Sequence, residues 1–89
     1  MANLNVSIIA RDKMAYQGKA KAVLVPTTTG IIEVLGEHMQ LISALAPGEI
    51  ILKMLGERGE EKFKISGGVI EVRPKSDVVI LADLVKDNV

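Results

Sequence analysis

The chain has 89 residues, with eleven Lys plus Arg against eleven Asp plus Glu, one His and no Cys. A chain this short forms one domain and buries only about 60–65% of its unfolded surface, so its core must be efficient. Zero net charge and only two aromatics, Tyr16 and Phe63, exclude a nonspecific nucleic-acid grip and a stacking platform, and the lack of Cys excludes disulfides and thiolate metal sites.

Val, Ile and Leu supply 29 residues, so the core is expected to be aliphatic. Asn3, Asn5 and Ser7 stand where a signal peptide has its apolar run, and no apolar stretch approaches the roughly 20 residues that span a bilayer. A small cytoplasmic domain is the expectation.

In chain order, Leu4, Val6 and Ile8 alternate with Asn5 and Ser7, as in a strand with one buried face. Tyr16-Gln17-Gly18 reads as a turn, and Lys19 and Lys21 then alternate with Ala20, Ala22 and Leu24. Pro26 to Gly30 reads as a loop, followed by the apolar run Ile31-Ile32-Glu33-Val34-Leu35. Met39 to Leu45 fits a strand or one helical turn equally, and residues 37–46 are the only stretch with the pattern of a helix. Pro47-Gly48 signals a turn before the β pattern of Glu49 to Leu55. Gly56 to Gly59 is a hairpin loop, Phe63 and Ile65 share one face, and Gly67-Gly68 is expected to break the chain before Val69 to Val72. Arg73 to Ser76 is the last turn and Asp77 to Asp83 the last strand. Turns every eight to twelve residues favour an all-β fold, a sandwich or a barrel, and a two-sheet antiparallel β-sandwich spanning residues 1–89 as a single domain is the expectation.

Chemistry is sparse. No phosphate-loop motif accompanies the eight glycines, and no Lys follows Ser66-Gly67-Gly68 in position to reach a phosphate. His38 is the single imidazole, with Glu33 and Glu37 as its near acidic neighbours. In an extended chain Glu37 and His38 would point to opposite faces, which disfavours a metal site. Glu57, Glu60 and Glu61 lie in or beside a polar hairpin, Glu71 suits an outward strand position, Asp83 suits a cap or a pairing with Lys86, and Ser66 lacks an activating base. No catalytic, cofactor or metal residue is expected.

Surface remains. Ile31, Ile32, Val34 and Leu35 cannot all face one core, nor can Ile50-Ile51-Leu52 or Val78-Val79-Ile80-Leu81. Some of that apolar area is expected to be an interface. The Met residues at 14, 39 and 54 read as core filler.

An ordered set of motifs carries a family resemblance. Gly18 follows an aromatic, Gly30 closes a loop, and Gly36-Glu37-His38 stands where the family has a Pro-Gly-His step. Leu41-Ile42-Ser43-Ala44-Leu45-Ala46-Pro47-Gly48, Ser66-Gly67-Gly68-Val69-Ile70-Glu71-Val72 and Leu81-Ala82-Asp83 complete the series. Over nearly its full length the chain resembles the N-terminal β-sandwich domain of the epsilon subunit of F-type ATP synthase.

The resemblance implies a non-catalytic central-stalk subunit standing between the gamma subunit and the membrane c-ring, which couples proton-driven ring rotation to ATP synthesis. It implies no cofactor, no nucleic acid and no direct bilayer insertion, and a peripheral position on the cytoplasmic side of the bacterial plasma membrane within the ATP synthase. Carried over by position, His38, Leu41 and Ser43 fall in the gamma-facing segment, and Thr29, Gly30, Ile31 and Glu33 in the loop that approaches the ring. Two departures stand out. Ile31 occupies the place of an acidic residue, and Gly36-Glu37 replaces Pro-Gly. The chain stops at Val89, where many family members continue into a C-terminal helical hairpin. A short form without hairpin inhibition or nucleotide sensing is the expectation. The competing readings are a free-standing sandwich that binds a peptide or small ligand, and a small hydrolase built on His38 with Glu33 or Glu37.

Overall fold

The computed structural model describes residues 3–11, 13–36, 40–56 and 58–85. Eight strands follow in order: β1 (Leu4–Ala10), β2 (Lys13–Ala20), β3 (Ala22–Thr27), β4 (Gly30–Leu35), β5 (Leu41–Leu45), β6 (Gly48–Lys53), β7 (Glu60–Arg73) and β8 (Asp77–Leu84). A 3-10 turn, Pro74–Ser76, joins the last two. The fold is all-β and sandwich-like, as the turn spacing predicts.

One layer runs β2-β1-β8-β7-β5 and the other β4-β3-β6-β7. Strand β7 belongs to both. Its first half, Glu60 to Ile65, pairs with β6, and its second half, Gly68 to Val72, pairs with β5. These two halves pair in different layers and the ladder with β8 slips where they meet, between Ile65 and Gly67 next to the paired glycines, so β7 bends there. All ladders are antiparallel except β1 with β8, which run parallel from Asn5↔Asp77 to Ile9↔Leu81.

Alternation fills the space between the layers. Leu4, Val6, Ile8, Ile70, Val78 and Ile80 from the first layer meet Val23, Val25, Val34, Ile50 and Leu52 from the second, all 0–1% exposed. Ala20, fully buried at the end of β2, joins this aliphatic core. The lone aromatic pair, Tyr16 and Phe63, packs edge-on against its margin at 6.1 Å.

Several boundaries differ from the sequence reading. Tyr16-Gln17-Gly18 lies inside β2, paired with Ile8, Ser7 and Val6. The crossing to the other layer comes at Lys21, whose N–H donates to the Lys53 carbonyl at 2.7 Å. Leu41 to Leu45 is a strand, because β7 offers it a full ladder from Val72 to Gly68; no α-helix occurs among the described residues. The β3–β4 turn is tighter than the expected loop, with only Thr28 and Thr29 between the strands. Gly67-Gly68 bends the chain without ending its strand.

Candidate interaction surface

Alternation that points Ile8, Ile70 and Ile80 inward must point their neighbours outward. On the outer side of the five-stranded layer, register aligns Ala44↔Val69, Val69↔Leu81, Leu81↔Ile9 and Ile9↔Met14. This is one apolar row across β5, β7, β8, β1 and β2. Leu81 is 51% and Met14 48% exposed, so neither is covered by the domain itself. Met14 is thus a surface residue and not the core filler its side chain suggested; Met54 is half-buried and accepts a hydrogen bond from the Tyr16 hydroxyl at 3.8 Å. Met39 lies outside the described residues.

The adjacent row, Ile42–Glu71–Val79–Ser7–Gln17, is mixed, and the one beyond it, Arg73–Asp77–Asn5–Lys19, is polar. Arg73 pairs with Glu71 at 3.2 Å and with Asp77 at 3.8 Å. These exposed ion pairs mark where the apolar ground ends and contribute little to stability. A shallow groove of about 380 Å³ follows the apolar row, with Ile9, Val69 and Leu81 along it and Arg11 and Asp83 at its end. A contiguous apolar surface with a charged border is the build of a protein-contact face.

Leu41 and Ser43 of the predicted gamma-facing segment are half-buried on the inward side of β5, opposite Val72 and Ile70. Their strand mates Ile42, 72% exposed, and Ala44 take the outward positions. The residues carried over by resemblance therefore point inward, and Ile42 and Ala44, which alternate with them, point outward. His38, together with Glu37, lies outside the described residues.

The loop residues behave differently. Thr29 and Gly30 are exposed at the β3–β4 hairpin tip, and Ile31 beside them is 74% exposed. Gly30 has φ +132 with open space around it, a conformation that favours glycine. Glu33 stands farther along β4, on the outer side of the four-stranded layer, where Lys53 pairs with it at 3.2 Å. The structure thus brings Thr29, Gly30 and Ile31 together and sets Glu33 apart. Leu35, also 51% exposed, and half-buried Ile51 account for the remaining apolar residues that the sequence could not place in one core.

Comparison with known proteins gives this arrangement its class. The family model for the beta-sandwich domain of the ATP synthase Delta/Epsilon chain matches residues 3–87. The ATP synthase epsilon chain of Alkalilimnicola ehrlichii is 38% identical over 84 residues, and that of Moorella thermoacetica 40% identical over 83. Each alignment takes in 93% of this chain but only 58% and 60% of the relative, so the chain spans about three fifths of their length. Among solved structures, a chain of the Euglena gracilis mitochondrial ATP synthase, seen in an OSCP/F1/c-ring assembly, superposes with a TM-score of 0.88 at 25% identity, covering 96% of this chain and 54% of that one. A chain from the central stalk and c-ring of the Tetrahymena thermophila mitochondrial enzyme shares the fold alone, with a TM-score of 0.75 at 14% identity over 90% of this chain and 63% of that one. The chain belongs to the ATP synthase delta/epsilon chain family, as its β-sandwich domain.

Proposed function

We propose that this domain is a non-catalytic rotor element of an F-type ATP synthase, held between the gamma subunit and the c-ring so that ring rotation is coupled to ATP synthesis. The observation that carries the reading is the apolar row Ala44–Val69–Leu81–Ile9–Met14 with its charged border. The gamma subunit covers that row, with Ile42 and Ala44 as the contacting side chains of β5 and Leu41 and Ser43 supporting them from behind. His38 belongs to the same contact by its place in the chain. Thr29, Gly30 and Ile31 meet the polar loops of the ring, and Glu33 flanks them.

Family membership supports the assembly, and the Euglena relative was solved together with F1 and a c-ring. The bacterial relatives support a position on the cytoplasmic side of the plasma membrane, peripheral and without bilayer insertion. Mechanically, a rotor element needs low compliance, and densely packed interiors transmit strain well. Here β7 runs through both layers, so load entering one layer reaches the other along a continuous covalent strand. The apolar contact holds the domain to gamma, and the exposed hairpin tip gives the ring a second, separate hold.

Size-exclusion chromatography with light scattering on a mixture of the chain and its cognate gamma subunit tests this directly. A one-to-one complex is expected. Two separate peaks at micromolar concentration, persisting when the c-ring is added, would reject the assignment.

A further inference from the structure

Building on the ring contact above, we propose that Thr27 is a positioning residue that closes the β3–β4 hairpin tip from within, on a base that backbone bonds tie to β5, so that the ring-facing and gamma-facing contacts move as one body. Thr27 is 5% exposed, one of two buried polar residues among those described, Ser76 being the other. Its hydroxyl sits inside the tip. It donates to the Gly30 carbonyl, accepts the Thr29 N–H at 3.3 Å, and lies 3.3 Å from the Thr29 hydroxyl.

The hairpin base is tied across to β5 by backbone alone. Thr27 pairs with Leu45, the Thr28 N–H donates to the Ala44 carbonyl at 3.3 Å, and the Ala46 N–H donates to the Pro26 carbonyl at 2.8 Å. Ala44 is the first residue of the apolar row. The tip is therefore one hydrogen bond away from the strand on which the gamma contact begins. The backbone bonds hold the base, and the Thr27 hydroxyl closes the tip from within.

Valine matches threonine in shape and lacks the hydroxyl, so Thr27→Val removes the tip's internal closure and leaves the backbone ties to β5 and the apolar row untouched. Gly30 is exposed, so water satisfies its released carbonyl and the fold is retained. The test uses ATP synthase depleted of this subunit and re-supplied with the native chain, Thr27→Val or Thr27→Ser. Two quantities are read: binding to the depleted F1 sector, which has gamma and no ring, and protons pumped per ATP hydrolysed by the complete enzyme. For Thr27→Val, F1 binding within about twofold of native and fewer protons pumped per ATP hydrolysed than with the native chain are expected, since the lost hydrogen bond acts on the tip alone. Thr27→Ser, which keeps the hydroxyl, restores pumping.

Full pumping by Thr27→Val overturns the inference. So does a parallel fall in F1 binding, melting temperature and pumping, which would make Thr27 an ordinary structural residue. If the native chain itself fails to restore pumping while still binding F1, the ring contact is wrong and this inference falls with it.

Discussion

A methyl group at Gly68 would lie 2.2 Å from the Leu81 carbonyl oxygen and 2.8 Å from the Ala82 Cα, in backbone that cannot swing aside. At Gly30 the same methyl group would meet nothing, and only the φ of +132 resists it. Gly30→Ala should therefore cost about 1–3 kcal/mol of backbone strain, and Gly68→Ala should cost more, since β8 must also move. Urea denaturation of the two variants checks the order, and equal losses would refute the close-approach account. The sequence marks both positions as glycine and cannot tell these two reasons apart. Gly68 read as a chain break because the carbonyl that excludes a side chain comes from β8, thirteen residues farther along. Gly18 was misread for a similar reason: a Cβ there would sit 3.0 Å from the Tyr16 hydroxyl oxygen, so the glycine lets the ring fold over an edge strand instead of making a turn.

On the proposed gamma contact, strand β8 separates stability from binding within two adjacent residues. Ile80 is fully buried in the core and Leu81 is half exposed on the outer row. Ile80→Ala should lower stability by about 2–5 kcal/mol, while Leu81→Lys should change it by less than about 0.5 kcal/mol. Against gamma the order reverses, with Leu81→Lys weakening binding by at least about tenfold if the row is the contact centre. Chemical denaturation and titration calorimetry of the same two variants measure both effects. The alternation of β1 and the exposure of part of the Val78 to Leu81 run were legible in sequence, because a period of two persists over enough residues. The five residues of β5 were too few, and a strand and a helical turn fitted Leu41 to Leu45 equally until the β7 ladder decided the matter.

Across the whole molecule, the two layers carry different surfaces. The five-stranded layer shows the apolar row, whereas the outer side of the four-stranded layer mixes the exposed Ile31 and Leu35 with the Lys53–Glu33 ion pair and the exposed Lys62 and Lys64. The sandwich class followed from turn spacing, but the sharing of β7 between layers did not, since no local pattern announces that one strand will serve two sheets. In the proposed rotor role, that sharing would make the domain a single load path, with the gamma contact on one layer and the hairpin tip reaching from the other. The most direct test is methyl NMR of Ile-, Leu- and Val-labelled chain titrated with the gamma subunit. Shifts or broadening at Ile9, Val69, Leu81 and Ile42, with Leu24, Ile31 and Ile51 unaffected, are the predicted result. Perturbations confined to Leu24, Ile31 and Ile51 would place gamma on the other layer and contradict the account.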